Sequence, residues 1–307
     1  MKIVFLDALT LGDVDFKRFE RFGEVEIYET TSEKEVLKRV RDADVVVTNK
    51  VVIDAGIMDD SAVKFIQIAA TGMNNVDLEY AKKKGIKVKN VAGYSTKAVV
   101  QHTFAMVLGL LNRVCYFDKY TREEYPKSEI FTHIQNWFEI AGKRWGIIGL
   151  GTIGKEVAKI AKAFGAEVVY YSTSGKNNSG EYKKVELEEL MKTSDIISIH
   201  APLNEKTKSL IKEKELMMMK EGAVIVNLGR GGIINEKDLA KTLERKDISI
   251  GLDVFEKEPI NSDNLLLQFK DKTLLSPHVA WTSMEARNKL MDGIYANIEE
   301  FVEKAAN

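Results

Sequence analysis

Cysteine and proline are scarce in this sequence, and no long apolar run is present. The single cysteine, Cys115, excludes an intrachain disulfide and a cysteine-based metal cluster, and its apolar setting in "NRVCYF" predicts a packed thiol. The four prolines do not form a proline-rich linker. The longest apolar stretch, "FAMVLGLL", has eight residues and is followed by Asn112 and Arg113, so it is too short to cross a bilayer. We therefore expect no metal site and no membrane partner.

An excess of charge of either sign is also lacking. The 45 basic and 46 acidic residues leave a net charge of -1, which does not direct the chain to nucleic acid or to an anionic membrane. The apolar run in "MKIVFLDALT" ends at Asp7 and is too short for a signal peptide. We therefore expect a cytoplasmic protein without a nucleic-acid partner.

The 307 residues are enough for two domains, and the first hundred predict a parallel α/β sheet. Short apolar runs alternate there with amphipathic charged segments. The predicted strands are "KIVFLDA", "EVEIYE", "DVVVTN", "KFIQIAA" and "IKVKNV". The predicted helices between them are "DFKRFERFG", "SEKEVLKRVRDA" and "DLEYAKKKG".

A long helix and a second α/β series follow. The helix is capped by Ser95 or Thr96 and is predicted to run through "KAVVQHTFAMVLGLLNRVCYF"; it is apolar on most of its circumference, so we expect it to be buried between domains or subunits. From Lys143 the predicted strands are "RWGIIGL", "EVVYY", "DIISIHA", "AVIVNL", "ISIGLDV" and "TLLSPH". A final amphipathic helix from Ser283 has one apolar face, formed by Leu290, Ile294, Ile298, Phe301 and Ala305. The predicted fold class is α/β with two doubly wound parallel sheets.

The second series opens with a glycine pattern. In "WGIIGLGTIGKEVAKIAKAFG", Gly149, Gly151 and Gly154 form G-x-G-x-x-G between an apolar strand and a helix. Such a loop permits a tight turn, close approach of the backbone to a pyrophosphate, and close packing of the helix on the strand. We interpret it as a dinucleotide site, because a packing turn that binds nothing does not explain three glycines at this spacing.

The next strand departs from the usual pattern for NAD. An acidic residue is expected about 20 residues beyond the glycines, where it binds the ribose hydroxyls. Here "YYSTSGK" has Ser172, Thr173 and Ser174 instead, followed by Lys176. No carboxylate is present to repel a 2′-phosphate, so we expect NADPH to be accepted at least comparably to NADH, although serine can also bond to a ribose hydroxyl.

Three unusual residues, Arg230, Glu258 and His278, follow predicted strands in the second half. Each residue also has a structural alternative: Arg230 could be a solvated loop arginine, Glu258 a surface acid, and His278 a cap of its strand. Together they match one reaction. A histidine can give a proton to a carbonyl oxygen while a nicotinamide delivers hydride, a carboxylate on the other ring nitrogen orients the imidazole, and an arginine binds a substrate carboxylate with two parallel hydrogen bonds. The trio therefore predicts reduction of a 2-keto acid.

The other histidines are assigned structural positions. His102 and His133 have no acidic partner at short spacing, so we expect structural roles for both. His200 begins the loop "HAPL" at a strand end and is predicted to shape the cofactor cleft.

Five motifs, "GLGTIG", "HAPLNEKT", "NLGRGGIINE", "GLDVFEKEP" and "SPHVAW", resemble the D-2-hydroxyacid dehydrogenase family in their order and spacing, over nearly the whole chain. "ATGMNNVDLEYAKKKGI" and "NVAGYSTKAVVQHT" are most similar to its glycerate dehydrogenase (hydroxypyruvate reductase) branch. The resemblance implies a flavodoxin-like substrate domain over residues 1–96 and 282–307 and a Rossmann cofactor domain over residues 97–281. It also implies a homodimer, built in part by the helix from Thr96.

The resemblance also implies residue roles. Arg230 would bind the substrate carboxylate, and His278 would be the acid/base paired with Glu258. Backbone amides at Gly72 and Met73 would bind the same carboxylate, and Trp281 would narrow the substrate pocket or simply pack. Asp253 would hold the nicotinamide amide. The full set implied for NAD or NADP is Gly149, Gly151, Thr152, Ile153, Gly154, Ser172, Thr173, Ala201, Pro202, Thr207, Leu228, Gly229 and Asp253.

Two alternatives to a hydroxypyruvate or glyoxylate reductase stay open. The same fold can serve as a dinucleotide-sensing binding protein, as in the corepressor relatives of this family, although no partner-binding extension is visible. The substrate could also be that of a phosphoglycerate or D-lactate dehydrogenase. The chain ends at Asn307 without the regulatory domain that many phosphoglycerate dehydrogenases carry, which disfavours the former.

Overall fold

The computed structural model describes residues 1–306, with side chains described for residues 1–304, and it divides into two compact units. One unit comprises Met1–Ser95 with Thr282–Asn307, and the other comprises Thr96–Trp281. Ala305, which the sequence predicts on the apolar face of the last helix, lies outside the described side chains.

The first unit is built on a parallel sheet whose strands are β1 (Lys2–Phe5), β2 (Glu24–Ile27), β3 (Val45–Thr48), β4 (Phe65–Ile68) and β5 (Lys87–Lys89). Its helices are α1 (Glu33–Val40), α2 (Ala55–Asp59), α3 (Leu78–Lys84) and α10 (Met284–Ala306), with 3-10 turns at Ala8–Leu11 and Lys17–Phe22. The strand order β2-β1-β3-β4-β5 is flavodoxin-like. Strands β3 and β4 are buried along their whole length, as expected in a parallel sheet covered on both faces.

Helix α10 returns the chain to the first unit. Leu290, Ile294 and Ile298 have no exposed surface, because their spacing of four residues places them on one face of the helix. Phe301 on the same helix stacks on Phe65 of β4, with 4.9 Å between ring centroids. The apolar face predicted from the sequence is thus the face that packs on the sheet.

The second unit contains a seven-stranded parallel sheet among its described residues. Its strands are β6 (Arg144–Ile148), β7 (Glu167–Tyr171), β8 (Lys183–Lys184), β9 (Ile196–Ile199), β10 (Val224–Asn227), β11 (Ser249–Leu252) and β12 (Thr273–Leu275). Its helices are α4 (Thr96–Leu111), α5 (Val114–Glu123), α6 (Thr152–Ala163), α7 (Leu187–Thr193), α8 (Glu213–Met218) and α9 (Glu236–Arg245), with 3-10 turns at Tyr125–Lys127 and Leu265–Gln268. The order β12-β11-β10-β9-β6-β7-β8 is that of a Rossmann sheet with one added strand.

The single long helix predicted from Ser95 is wrong. It is two helices, because α4 ends at Leu111 and α5 continues at an angle of 53°. Arg113, between them, has a φ of 51°, in the left-handed region that interrupts a helix. α4 is buried through residues such as Phe104 and Val107, whereas α5 has no buried residue. The apolar content falls from α4 to α5, but that fall does not by itself mark the residue at which the helix breaks.

Two smaller predictions also differ from the structure, and two short elements were not predicted. The packed thiol predicted for Cys115 is wrong, since α5 presents that side chain to solvent. The segment "DFKRFERFG" forms a 3-10 turn rather than an α-helix. The short elements α2 and β8 are not predicted, because five and two residues are too few to show a periodic pattern.

No single helix of the described residues is long and apolar enough to cross a membrane. The bent pair α4 and α5 passes that test only when the two are taken together, by length and composition. α4 packs against β10, β11 and β12 within its own unit, which accounts for its apolar character.

Candidate active site

The carboxyl ends of the parallel strands in the second unit gather most of the predicted site residues. Gly149 follows β6, and His200 follows β9. The loops after β10, β11 and β12 carry Arg230, Glu258 and His278. Ligands of open parallel sheets bind at this edge, beside the point where the strand order reverses. Here that point lies between β6 and β9.

The three glycines after β6 each meet a different steric requirement. Gly149 has a φ of 94°, which allows the tight turn that leaves the strand. A Cβ on Gly154 would lie 2.2 Å from the carbonyl oxygen of Gly149, so only glycine lets α6 pack this close. A Cβ on Gly151 would meet no protein atom within 4 Å. Open space at Gly151 is what a pyrophosphate needs for close approach to the backbone, so the loop fits a dinucleotide.

The N-terminus of α6 strengthens this fit. Gly151 is its N-cap and supplies no side-chain hydrogen bond, and the first turn contains no acidic residue. The first N–H groups of a helix have no partner within the helix, and the helix dipole adds positive potential there. A phosphate is therefore favoured at this position.

The remaining predicted cofactor residues lie on the same edge or on α6. Thr152 and Ile153 form the first turn of α6, and Ala201 and Leu228 are buried next to the strand ends. The hydroxyl of Thr207 is fully buried and donates to the carbonyl oxygen of Pro202 at 2.6 Å, so it closes its own loop. A Cβ on Gly229 would lie 2.8 Å from the carbonyl oxygen of Ala201, so the loops after β9 and β10 pack closely.

His278 and Glu258 form a direct pair. Nδ1 of His278 lies 2.7 Å from Oε2 of Glu258, and the side chains keep 22% and 30% of their surface exposed. A carboxylate accepts only, so Nδ1 carries the proton and Nε2 is the nitrogen left for other chemistry. The second oxygen of Glu258 accepts the backbone N–H of Phe255 at 3.2 Å, which fixes the carboxylate on its own loop.

The loop of Arg230 lies against the loop of Glu258. A Cβ on Gly231 would lie 1.8 Å from the carbonyl oxygen of Phe255, so only glycine permits this contact. The side chain of Asn227 braces the same loop, donating to the carbonyl oxygen of Arg230 at 2.9 Å and accepting from Gly229 at 3.0 Å. The guanidinium donates to the carbonyl oxygen of Gly229 at 2.8 Å and pairs with no carboxylate among the described residues of its unit. Its positive charge is therefore available to an anionic ligand.

Asp253 lies beneath the loop that carries His278. Its carboxylate is 1% exposed and accepts the hydroxyl of Ser276 at 2.5 Å and the N–H groups of Val279 and Ala280 at 2.9 and 3.0 Å. These bonds satisfy a buried charge that would otherwise be costly. The assignment of Asp253 to the nicotinamide amide stays a prediction.

His102 has an acidic neighbour that its sequence surroundings do not show. Its Nε2 lies 3.0 Å from Oγ of Ser276 and 3.7 Å from Oδ1 of Asp253. The structural role expected for His102 was based on short spacing, and Asp253 is far away in the chain. His133 instead stacks on Tyr120 at 3.9 Å and lies 2.8 Å from the hydroxyl of Tyr116, which agrees with a structural role.

His200 is unsuited to proton transfer near neutral pH. Both ring nitrogens are buried and have no hydrogen-bond partner among the described residues, and burial lowers the pKa of His200 to about 3. The imidazole is neutral at physiological pH, so it cannot supply a proton as an imidazolium. His278 is thus the histidine at this edge that is suited to act as an acid.

The predicted substrate residues belong to different units. Gly72 and Met73 lie in the first unit, in the loop between β4 and α3, where the carbonyl oxygen of Met73 accepts from Val76 at 3.3 Å. Trp281 is the last residue of the second unit and packs against its core. Their substrate roles stay predictions.

The fold and the glycine loop define a dinucleotide-binding oxidoreductase of the α/β class. The sequence of residues 104–280 matches the family model of the D-isomer specific 2-hydroxyacid dehydrogenase, NAD binding domain. The chain belongs to this family, and the family and fold class predicted from the sequence are confirmed.

Two relatives and one solved structure cover almost the whole chain. The hydroxypyruvate reductase of Blautia hydrogenotrophica is 38% identical over 98% of this chain and 97% of its own. The glycerate dehydrogenase of Methylorubrum extorquens is 34% identical over 98% and 96%. An acyclic imino acid reductase in complex with NADPH and D-Arg is 30% identical, covers 99% and 98% of the two chains, and has a TM-score of 0.88. The protein is an NAD(P)-dependent oxidoreductase of 2-hydroxyacids, so the enzyme interpretation is confirmed.

Substitutions at two of the three loop glycines should affect cofactor binding and protein stability separately. Gly151→Ala adds a methyl group to open space, so the melting temperature should hold while the affinity for NADH falls about tenfold or more, because the phosphates lose their approach. Gly154→Ala forces helix and strand apart and should lower the melting temperature by about 4 °C or more. Calorimetry of unfolding and of NADH binding measures both; a Gly151→Ala protein with unchanged affinity would contradict the assignment.

Proposed function

We propose that this enzyme reversibly reduces a small 2-keto acid to the D-2-hydroxy acid, with Arg230, Glu258 and His278 as the reacting set. The observation that supports this most directly is the hydrogen bond of 2.7 Å between Nδ1 of His278 and Glu258. It fixes the ring and leaves Nε2 for the substrate, and the pair lies at the sheet edge where parallel α/β proteins bind ligands.

Each residue of the trio has one role in the proposed reaction. When bound at the glycine loop, a reduced nicotinamide cofactor would be the source of the hydride for the carbonyl carbon. His278 donates a proton from Nε2 to the carbonyl oxygen as negative charge develops there. Glu258 holds the ring through Nδ1 and compensates the positive charge of the imidazolium. Arg230 binds the substrate carboxylate through its planar fork, which orients the carbonyl group next to it.

The proposed substrates are hydroxypyruvate and glyoxylate, with D-glycerate and glycolate as products. The names of two relatives, a hydroxypyruvate reductase and a glycerate dehydrogenase, support this choice over pyruvate. We also assign the substrate domain to residues 1–96 and 282–307, where the amides of Gly72 and Met73 would bind a substrate carboxylate. Trp281 would limit the size of the side chain accepted.

Replacing His278 tests the reaction directly. His278→Gln keeps a polar side chain but removes the proposed proton donor, so turnover of hydroxypyruvate should fall about a hundredfold or more while NADH affinity stays nearly unchanged. The measurement is NADH oxidation at 340 nm with hydroxypyruvate, glyoxylate and pyruvate.

His133→Gln is the matched control, because His133 lies in the same unit, in the segment between α5 and β6, and contacts Tyr116 and Tyr120 of α5. It should retain full activity. Unimpaired turnover by His278→Gln would remove the proton-donor assignment, and pyruvate as the best substrate would overturn the substrate assignment.

We propose further that NADPH is used at least comparably to NADH. Ser172 follows β7, is 6% exposed, and its hydroxyl has no hydrogen-bond partner among the described residues. Ser174 and Lys176 are exposed on the same loop, and no carboxylate lies between positions 172 and 176. The Ser172 hydroxyl can donate a hydrogen bond to a 2′-phosphate, and the ammonium of Lys176 adds positive charge nearby, so the loop favours that phosphate. The imino acid reductase relative, solved with NADPH, supports the same proposal.

A carboxylate at position 172 should shift cofactor use toward NADH. Ser172→Asp adds negative charge where the phosphate would bind, so catalytic efficiency with NADPH should fall by about tenfold more than efficiency with NADH. Ser172→Asn controls for size, because it is neutral and nearly isosteric with the aspartate. Steady-state kinetics with both cofactors decides the matter, and a parent enzyme that strongly prefers NADH would disprove the proposal.

We propose a homodimer that covers the segment after α5. Ile130, Phe131, Ile134 and Trp137 are 63%, 90%, 81% and 51% exposed. Monomeric proteins rarely expose so many large apolar side chains in one short segment, and a second copy of the chain would bury them. A cytoplasmic location is proposed as well, which a single unpaired cysteine favours.

Polar substitution of this segment should separate the subunits. Phe131→Ser with Ile134→Ser removes much of its apolar surface, so sedimentation velocity at micromolar concentration should show a monomer, against a dimer for the parent. Leu265→Ser is the control, since Leu265 is 50% exposed in the same unit but outside the segment. A parent that sediments as a monomer would contradict the proposal.

A further inference from the structure

Three side chains from distant parts of the sequence form a hydrogen-bond chain behind the loop of His278. His102 of α4 contacts Ser276 at 3.0 Å, and Ser276 contacts the buried carboxylate of Asp253 at 2.5 Å. All three belong to the second unit. The middle member of the hydrogen-bond chain, Ser276, lies two residues before His278 in the sequence.

The direction of the hydrogen bonds follows from proton counting. Ser276 has one hydroxyl proton, and Asp253 can only accept, so that proton points to Asp253. Oγ of Ser276 therefore accepts from His102, and Nε2 of His102 carries a proton. The order is His102 to Ser276 to Asp253, with the Ser276 hydroxyl accepting from His102 and donating to Asp253.

The loop that this chain supports is in an unusual conformation. His278 has a φ of 56°, in the left-handed region that residues with a Cβ seldom adopt. Such a conformation persists only when its surroundings enforce it. Asp253 does so from both sides, since it accepts from Ser276 before His278 and from Val279 and Ala280 after it.

We propose that His102 and Ser276 are positioning residues for proton transfer. They orient the Asp253 carboxylate, which holds His278 in the left-handed conformation that presents its ring to Glu258. This inference rests on the proposed function, because it takes His278 as the proton donor. Neither residue needs to touch the substrate, so their loss changes the rate of the chemical step rather than the affinity for the 2-keto acid.

The first test compares substitutions that remove or keep the donor. Ser276→Ala and His102→Leu should each lower kcat for hydroxypyruvate reduction about tenfold, since a small misplacement of a reacting group is costly. The KM for hydroxypyruvate should stay within about twofold. His102→Gln, which keeps an N–H donor near the position of Nε2, should restore kcat to within about threefold of the parent.

The second test uses the double variant. Because His102 acts through the hydroxyl of Ser276, the protein with both His102→Leu and Ser276→Ala should be no slower than Ser276→Ala alone. Losses that multiply would overturn the proposed route, as would a His102→Gln enzyme as slow as His102→Leu. Values of kcat within about twofold of the parent in both single variants would overturn the whole inference.

Two matched variants separate positioning from simple destabilisation. Thr103→Val removes a buried hydroxyl next to His102 on α4, one that bonds only to the carbonyl oxygen of Val99 in its own helix. Ser198→Ala removes a buried hydroxyl that accepts from Trp145. Both should leave kcat unchanged, and Ser198→Ala should lower the melting temperature because it leaves the buried N–H of Trp145 without its acceptor. A lowered melting temperature with an unchanged kcat in Ser276→Ala would indicate a structural role and would count against the proposal.

His278→Gln, assayed in parallel, distinguishes a failure of the proposed function from a failure of the positioning role of His102 and Ser276. If His278→Gln is active, the proposed function itself falls. If His278→Gln is inactive while Ser276→Ala and His102→Leu run at full rate, the proposed function stands and only this inference is lost.

Discussion

The buried carboxylate of Asp253 determines the shape of the histidine-bearing loop. It is 1% exposed and can remain charged only because three donors of that loop converge on it. The same bonds hold His278 in a left-handed conformation and place its ring on Glu258 at 2.7 Å. The energetic need of one buried charge and the geometry of the proposed proton donor are thus met by a single set of hydrogen bonds.

At the carboxyl ends of the strands, glycines provide the steric fit and charged side chains provide the electrostatic interactions. Around the glycines after β6, the close contact of Gly154 and the open space at Gly151 leave room for a dinucleotide beside the N-terminus of α6. Around the loops after β10 and β11, Gly231 brings Arg230 close to the backbone of Phe255 and hence to the loop of Glu258. The glycines therefore determine how closely the helix and the loops pack, and this packing determines where the charged side chains lie.

The two buried or half-buried histidines of this edge differ because of their surroundings. His200 has no partner for either ring nitrogen among the described residues, and burial lowers its pKa to about 3. His278 has a carboxylate on one nitrogen and part of its surface exposed. Residue type alone therefore does not identify an acid; the partner and the solvent around the ring do.

The sequence by itself determined the family, the α/β class, the glycine loop and the order of the trio, because periodic apolar patterns and residues at strand ends are local signals. It could not locate the break at Arg113, the exposure of Cys115, or the partner of His102. Each of these depends on where a segment packs, and the acid beside His102, Asp253, follows a strand that lies far along the chain. The 3.7 Å between His102 and Asp253 exists only once α4 has packed on the sheet beside β11 and β12. Long-range contacts of this kind are set by the burial of whole elements, and no local stretch of residues encodes them.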